Sequence, residues 1–147
     1  MNNPPFISQL WREYPHKILQ AKTSSRKYRI VGDSRLGHSL ISAGREVLQD
    51  LELINNAIED KSFFKNKVLI GAFEFAKKFR SNIHFIGMVS KGGIHSHLNH
   101  LEALLEMAWR ENCKNIFLDV ITDGIDSEPM SALEDIDQIK RKMLNLK

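Results

Sequence analysis

The residues whose side chains could most readily bind a ligand or take part in a reaction lie in one glycine-containing stretch of this 147-residue sequence. Residues 87–97 read GMVSKGGIHSH, and a third histidine, His100, comes shortly after His95 and His97. Imidazole can hold Zn, Mn or Fe, contact an anion or substrate, or cap a helix. The spacing leaves these roles open. The two adjacent glycines suit either close approach of a ligand to the backbone or an ordinary tight turn.

A second candidate is Ser34, in the stretch GDSRLGH over residues 32–38. Asp33 and Ser34 are good cap residues, and they precede a helix-compatible run over residues 35–43, so Ser34 should lie at or near a helix N-terminus. The free N–H groups and partial positive charge of that end suit a phosphate or a developing oxyanion. On the residues alone, the favoured interpretation is that Asp33 or Ser34 only caps the helix.

Two apolar runs are expected to position the histidine stretch and a further polar stretch, DGID over residues 123–126. Ile83–Val89 is nearly continuously apolar, which predicts a buried parallel strand. Residues 115–122 are rich in apolar and β-branched residues, which predicts a second strand. The loops after two such strands open on the same edge of a parallel sheet, so His95 and Asp126 should approach one site.

Helical periodicity surrounds these strands. Residues 98–110 have the spacing of a helix, and a second helix is expected to start at residues 127–129, with its proline in an early position. The sequence therefore predicts an α/β fold, a parallel-type sheet with flanking helices. We also expect a short helix over residues 6–14, a short strand over residues 18–21, and two helices separated by Ser62, the expected cap of the second. The residues expected on inward-facing helix surfaces are Val47, Leu51, Ile54 and Ile58; Val68, Leu69, Ala72, Phe73, Ala76 and Phe79; and Leu133, Ile136, Ile139 and Met143.

Composition indicates a globular chain, with 42% hydrophobic and 27% charged residues. The single cysteine, Cys113, excludes an internal disulfide, and a reducing, cytoplasmic setting is expected. The sequence has no apolar run long enough to span a bilayer and no signal-peptide pattern at its N-terminus. Residues 1–45 hold eight Lys or Arg against two acidic residues. Because this basic segment lacks aromatic interleaving and a nucleic-acid motif, nucleic acid is not an expected partner. The lack of a spanning apolar run makes a membrane an unexpected partner as well.

Together, these stretches resemble the 2,3-bisphosphoglycerate-independent phosphoglycerate mutases. Residues 87–105 (GMVSKGGIHSHLNHLEALL) are similar to the family segment Ser-Asp-Gly-Gly-Val-His-Ser-His-x-x-His-Leu. Residues 123–132 (DGIDSEPMSA) resemble Asp-Gly-Arg-Asp-x-x-Pro-x-Ser-Ala. Residues 32–38 resemble Gly-Asn-Ser-Glu-Val-Gly-His, and residues 43–45 (AGR) match the family residues after that motif. Since residues 11–16 (WREYPH) are similar as well, the resemblance is collinear over nearly the whole chain.

The resemblance implies a Mn²⁺-dependent isomerase of glycolysis, which interconverts 2- and 3-phosphoglycerate through a phosphoserine. In that family a domain built like alkaline phosphatases carries two Mn²⁺ ions and the serine nucleophile, and an inserted α/β domain helps to hold the phosphoglycerate. Residues 1–45 accordingly resemble the serine-bearing part of the phosphatase-like domain, and residues 46–147 resemble part of the inserted substrate-binding domain. Ser34 aligns with the serine that is phosphorylated and touches a metal. His95 and Asp126 align with substrate-binding residues.

Several residues depart from the family pattern. Ile125 stands where the family has an arginine that holds a phosphate or carboxylate, which an isoleucine cannot do. Asp119 stands where a histidine is frequent, and Lys91 replaces an aspartate. Asp33 and Arg35 replace the asparagine and glutamate that flank the serine. These departures bear directly on whether phosphoglycerate is still bound.

The sequence supports three hypotheses about function. The first is a truncated mutase relative that is inactive alone, because most of the family's metal ligands are missing from this sequence. Mn²⁺ is then not expected to bind to this chain by itself, and a complementing chain would supply the metal domain. The second is a non-catalytic module that binds a small phosphorylated acid or a protein partner at the edge that carries His95 and Asp126. The third is a gene remnant with an incomplete sheet, whose uncovered apolar surface predicts self-association.

Overall fold

A two-stranded parallel sheet and its flanking helices form the part of the chain that carries the predicted loops. The computed structural model describes residues 4–17, 34–45 and 47–146, with side chains for all of these except residues 34–36. The predicted strand over residues 18–21 lies outside the described residues. In chain order the elements are α1 (Pro5–Glu13), α2 (Ser34–Ala43), α3 (Asp50–Glu59), a 3-10 turn (Phe63–Lys65), α4 (Lys67–Phe79), β1 (Ile83–Val89), α5 (Leu98–Arg110), β2 (Ile116–Thr122) and α6 (Ala132–Asn145). This order confirms the predicted α/β fold.

β1 and β2 pair in parallel over their full length, with Ile83 opposite Ile116 and Val89 opposite Thr122. Helix α5 connects them, as a parallel pair requires, because two parallel strands cannot be joined by a tight hairpin. Both predicted strands are confirmed, and β2 starts one residue later than expected. Since the two strands end in register, the loops after them lie at the same edge of the sheet.

The sheet is packed on one face only, within the part of the chain that the structure describes. Side chains alternate along a strand. Phe85 and Val89 therefore lie on the face packed by α5 and α6, and Ile86 lies on the opposite face, 74% exposed. Ile121 of β2 is 53% exposed. The apolar run of β1 thus predicted parallel pairing correctly, but the expectation of a fully buried strand was wrong because the helices cover only one face.

Two apolar clusters hold the helices against the inner face of the sheet. Their buried members are Val89, Leu98, Leu105 and Ile139 in one cluster and Phe73, Met107 and Ala108 in the other. Four residues predicted to face inward are exposed instead: Val68, Ala72, Phe79 and Leu133. At 3.6 residues per turn, each lies about 100° or more around its helix from the buried residue Phe73 or Ile139. The buried stripe is therefore narrower than the apolar pattern suggested.

Helix α4 is capped by Asn66 rather than by Ser62, the residue predicted from sequence. The Asn66 side chain accepts the backbone N–H groups of Val68 and Leu69 at 2.9 and 3.3 Å. Ser62 instead precedes the 3-10 turn and makes no side-chain cap bond. Both residue types cap helices well, so local propensity could not choose between them.

Helix α6 begins at Ala132, later than the start predicted near Pro129. Met130 has a φ of +70°, in the left-handed region that a right-handed helix cannot include. The Ser131 N–H bonds to the Glu128 carbonyl at 3.0 Å and closes a turn just before the helix. Residues 127–131 therefore lengthen the loop after β2. No helix in the described ranges has the length and apolar character needed to cross a membrane.

A pair of phenylalanines on α4 tests the position of the core. Phe73 is 2% exposed and Phe79 is 58% exposed. We expect Phe73→Ala to lower the free energy of unfolding by about 3–5 kcal/mol, because it removes a buried ring and leaves a cavity. Phe79→Ala, the same substitution on the same helix, should change it by less than about 1 kcal/mol. Urea titration followed by circular dichroism measures both, and equal losses would place the core elsewhere.

Candidate functional site

The candidate site is formed by two loops at the carboxyl edge of the sheet. The first loop (residues 90–97) comes after β1, and the second loop (residues 123–131) comes after β2. Both start with a polar residue, Ser90 and Asp123, directly after the strand. Such an edge is where α/β folds hold ligands, and here the two loops are also bonded to each other.

Ser90 joins the two loops from a buried position, 1% exposed. Its hydroxyl donates a short hydrogen bond to Asp123 Oδ2. The hydroxyl oxygen of Ser90 also accepts the Gly92 N–H at 2.9 Å, and the Ser90 carbonyl accepts the Leu98 N–H at 2.8 Å. One residue thereby fixes the turn of the first loop, the entry into α5 and the contact with the second loop.

Asp123 organises the second loop through its other carboxylate oxygen. Asp123 Oδ1 accepts the backbone N–H groups of Gly124, Ile125 and Asp126 at 2.7, 3.0 and 3.1 Å. The Ser90 hydroxyl, followed by these backbone donors, holds the pKa of the Asp123 carboxyl well below its usual range. Hydrogen bonds to the charged form favour ionisation. The loop therefore closes around a carboxylate that stays charged at neutral pH.

Gly92 brings the backbones of the two loops into contact. A Cβ atom at this position would lie 2.5 Å from the Asp126 carbonyl oxygen and 2.8 Å from its carbonyl carbon. Both atoms belong to the backbone, so they cannot swing away as a side chain would. The first of the two adjacent glycines thus serves a close approach between two protein loops.

His95 and Asp126 lie side by side, as expected for residues on loops that share an edge. His95 Nε2 is 3.5 Å from Asp126 Oδ2, and the two side chains are 67% and 15% exposed. The exposed His95 side chain can contact a ligand, and the more buried Asp126 carboxylate can orient the imidazole ring. The ligand-binding role of the pair stays a prediction.

Beside this pair lies a cleft of about 660 Å³. Lys91 and Gly92 line it on one side, and residues 125–129 and 131 with Glu134 and Asp135 line the other. Ile125 is 95% exposed. The residue that replaces the expected arginine therefore presents an apolar side chain to solvent at the cleft.

Lys91 and Asp135 form an ion pair in this cleft. Lys91 Nζ lies 2.8 Å from Asp135 Oδ1 and 3.9 Å from Glu134 Oε1. Asp135 is 1% exposed, and its carboxylate oxygens accept no well-directed hydrogen bond. The ion pair is thus the contact that compensates a buried charge, and Asp135 raises the pKa of Lys91. The lysine noted as a departure from the family pattern joins the first loop to α6.

The other two histidines support the start of α5. The His97 side chain caps the helix and accepts the Asn99 N–H at 3.2 Å. His100 Nε2 lies 2.9 Å from Oδ1 of Asn55, a buried residue on α3. Among the roles left open by the sequence, capping is the one that His97 fills, and His100 links α5 to α3. Burial lowers the pKa of both imidazoles, and for His100 the neighbouring His97 lowers it further.

Ser34 is the first residue of α2, which confirms its predicted position at a helix start. Its side-chain contacts lie outside the described part of the structure. Over residues 4–17, 34–45 and 47–146, no group of three or more His, Cys, Asp or Glu side chains is arranged to hold a metal ion. The described residues therefore do not supply a metal site by themselves. Mn²⁺ and the metal contact of Ser34 stay predictions from the resemblance.

Asp119, an unusual residue for a buried strand, lies on the exposed outer face of the sheet. Its Oδ2 is 2.8 Å from His84 Nδ1, and both side chains are about half exposed. The His84 ring also stacks on Phe117, with ring centroids 5.0 Å apart. Asp119 thus belongs to a surface pair, away from the two loops.

Sequence reasoning missed the two residues that bond the loops together, Ser90 and Asp123. A signal was available, since each polar residue comes directly after an apolar strand and parallel strands end at one edge. It missed Asp135 for a different reason. An aspartate in the first turn of a helix is favourable at the surface, so its burial could not be read from its type or position.

The fold and the paired loops define an α/β domain with a polar site at the carboxyl edge of a parallel sheet. Residues 54–147 match the family described as "BPG-independent PGAM N-terminus". The chain belongs to this family, which confirms the resemblance recognised in the sequence motifs.

Known relatives agree over nearly the whole chain. It is 39% identical to a 2,3-bisphosphoglycerate-independent phosphoglycerate mutase of Listeria welshimeri, over 98% of this chain and 29% of that protein. For the enzyme of the same name from Idiomarina loihiensis, the identity is 37% over 94% of this chain and 27% of that protein. The chain thus spans less than a third of the length of these relatives.

A solved structure shows the same likeness. The crystal structure of Leishmania mexicana phosphoglycerate mutase at low cobalt concentration matches with a TM-score of 0.76 and 27% identity. The match covers 99% of this chain and 27% of that one. The arrangement of helices and strands in this chain is therefore one that a phosphoglycerate mutase also adopts.

The contact between Gly92 and Asp126 predicts different outcomes for two glycines. Gly92→Ala should lower the free energy of unfolding by about 1–3 kcal/mol, because the added methyl group meets backbone atoms that must move. Gly124→Ala is the control, since a Cβ there meets nothing within 4 Å. Thermal denaturation measures both variants. If Gly92→Ala melted like the native chain, the two loops would not be in contact at this point.

Acidification is expected to destabilise the fold through His97 and His100. Their pKa values are below the ordinary 6.5 in the folded chain, so the unfolded chain binds more protons over that interval. The free energy of unfolding should be at its full value above pH 6.5 and should fall as the pH drops through the folded pKa values. His100→Gln removes one titrating group and should flatten this decline. Denaturant titrations from about pH 5 to about pH 8 test it, and an unchanged slope in the variant would contradict the assignment.

Proposed function

We propose that this chain supplies the serine-bearing segment and the phosphoglycerate-contacting loops of a cofactor-independent phosphoglycerate mutase. In this proposal, residues 1–45 contribute the serine segment of a phosphatase-like domain and residues 46–147 contribute part of the substrate-binding domain. The reaction is the glycolytic interconversion of 2- and 3-phosphoglycerate in a cytoplasmic setting. The observation that carries the proposal is the pairing of His95 with Asp126, in a chain that is collinear with these mutases.

The proposed role of His95 rests on its two ring nitrogens. Pairing Nε2 with the Asp126 carboxylate leaves Nδ1 to contact an oxygen atom of phosphoglycerate. Asp126 would keep the ring in one orientation, with Nδ1 towards the ligand. Lys91 would contribute positive charge in the same cleft, where Ile125 cannot.

The proposed role of Ser34 is to accept the phosphoryl group. Its hydroxyl oxygen would bond to phosphorus and give up its proton as the bond to the glycerate oxygen breaks, and that oxygen would take up a proton. The reverse step would transfer the phosphoryl group to the other glycerate hydroxyl, whose proton would return to the serine oxygen. The start of α2 favours the negative charge of a phosphoserine at this place. Phosphoryl transfer also needs charge neutralisation and in-line positioning, which the family resemblance assigns to Mn²⁺ ions. We therefore propose that the chain is inactive by itself.

An assay of mutase activity tests the catalytic part of the proposal. Purified chain with Mn²⁺ should not convert 3- to 2-phosphoglycerate. Activity should appear when the remainder of a related mutase, the part outside the region that this chain matches, is added. Ser34→Ala in this chain should abolish that activity. Conversion by the chain alone would contradict the proposed inactivity. Activity that survived Ser34→Ala would contradict the proposed nucleophile.

A second function, a non-catalytic module that binds a small phosphorylated acid, is favoured by one observation. The His95–Asp126 pair and its cleft are assembled within residues 90–135, without any contribution described from the serine segment. Binding without activity in the complemented assay would favour this function over the enzyme.

Ligand binding by His95 is tested with a matched histidine. His84 also faces an aspartate, at 2.8 Å, but on the outer face of the sheet. His95→Ala should weaken the binding of 3-phosphoglycerate by about tenfold or more, because a hydrogen bond to a charged group is lost. His84→Ala should bind like the native chain. Calorimetry at millimolar ligand measures all three proteins, and equal weakening by both variants would remove His95 from the site.

A further inference from the structure

The bond between Ser90 and Asp123 joins the two loops directly after the strand ends, and its residues are 33 positions apart. We propose that Ser90 and Asp123 are positioning residues, whose bond sets the two loops at the separation where His95 and Asp126 pair. This inference rests on the proposed function for its ligand. Its geometric part concerns the protein alone and can be tested without a ligand.

Asp123, directly after β2, fixes the backbone of the second loop up to Asp126. One of its oxygens is bonded to the first loop, through Ser90. The other accepts three successive N–H groups, the last of them that of Asp126 itself. The carboxylate therefore lies between the two loops and fixes the backbone that carries Asp126. Because charge-assisted hydrogen bonds are short and directional, this connection leaves little freedom.

Ser90 does the same for the first loop. Its hydroxyl receives the Gly92 N–H, and its carbonyl receives the Leu98 N–H. These two bonds bracket the segment that carries His95. Burial excludes water from Ser90, so water cannot replace a lost bond at low cost.

The pairing of His95 with Asp126 is sensitive to small loop movements. Their 3.5 Å separation already exceeds the length of an ordinary hydrogen bond, about 2.7–3.2 Å. A shift of about 1 Å would break this pairing, and misplacements of this size can have large effects in binding and catalytic sites. The site residues themselves touch only once, so their separation depends on the bond behind them.

A second aspartate–serine pair, Asp60 and Ser62, serves as a control for the Ser90–Asp123 bond. Asp60 Oδ1 accepts the Ser62 N–H at 2.8 Å at the end of α3, and the Ser62 hydroxyl also lowers the pKa of Asp60. That pair uses the same chemistry within three residues of the chain and holds no second loop. Asp60→Asn and Ser62→Ala are therefore controls for the loss of a carboxylate and of a hydroxyl.

The first experiment tracks the His95 ring signals by NMR, without ligand. In the native chain, Asp126→Asn should shift these signals, since the carboxylate is beside the ring. In a Ser90→Ala or Asp123→Asn background the same substitution should shift them at most half as much. In Asp60→Asn and Ser62→Ala backgrounds the full shift should persist. Full shifts in all backgrounds would overturn the inference.

The second experiment measures 3-phosphoglycerate affinity by calorimetry. Ser90→Ala should weaken binding by about tenfold, and Ser90→Thr, which keeps the hydroxyl, should restore most of it. In a His95→Ala background, Ser90→Ala should cause no further loss, because Ser90 acts through His95. A general loss of stability would instead weaken both backgrounds equally and would overturn the inference.

The two arms separate this inference from the proposed function. If the native chain binds no 3-phosphoglycerate, the proposed ligand is wrong, and the NMR experiment alone decides whether Ser90 and Asp123 set the loop spacing. If the ligand binds and Ser90→Ala neither weakens binding nor changes the NMR shift, the positioning role is wrong and the proposed function stands.

Discussion

An ionised carboxylate, that of Asp123, is the interaction on which the site geometry depends. It accepts the Ser90 hydroxyl and three backbone N–H groups, and its pKa is held low by those donors. The sheet brings the two strand ends to one edge, but parallel pairing alone does not fix how the loops beyond them lie. The hydrogen bonds of Asp123 fix the positions of these two loops relative to each other. In our proposal, the separation of His95 and Asp126 depends on these bonds, and the cleft lies beside that pair.

Much of the architecture could be predicted because its signals are local. The apolar run of Ile83–Val89 and the helical spacing of Leu98–Arg110 gave both elements at the observed bounds. The shared edge was then expected from the rule that parallel strands end together. The start of α6 could not be predicted, because the left-handed Met130 has no signature in its residue type. Burial of the outer sheet face was also misjudged, since apolar strand residues do not reveal whether a helix lies over them.

The site was predictable in part for a similar reason. Loop position and family motifs both pointed to His95 and Asp126, and the structure places them together. The residues behind them depend on contacts between distant parts of the chain. Ser90 and Asp123 are separated by 33 positions, and Lys91 and Asp135 meet only because α6 folds back beside the first loop. Residue type alone does not predict such contacts between distant parts of the chain.

Ile125 and Gly92 both line the cleft but leave very different room for substitution. The Ile125 side chain is almost wholly in solvent, whereas Gly92 has no room for one more carbon atom. Replacement at position 125 therefore costs the scaffold little, and replacement at position 92 requires both loops to move. The side chain at position 125 can therefore change while the framework of the two loops stays constant. An arginine at this position, as the family resemblance implies, could be replaced by isoleucine with little effect on the stability of the fold.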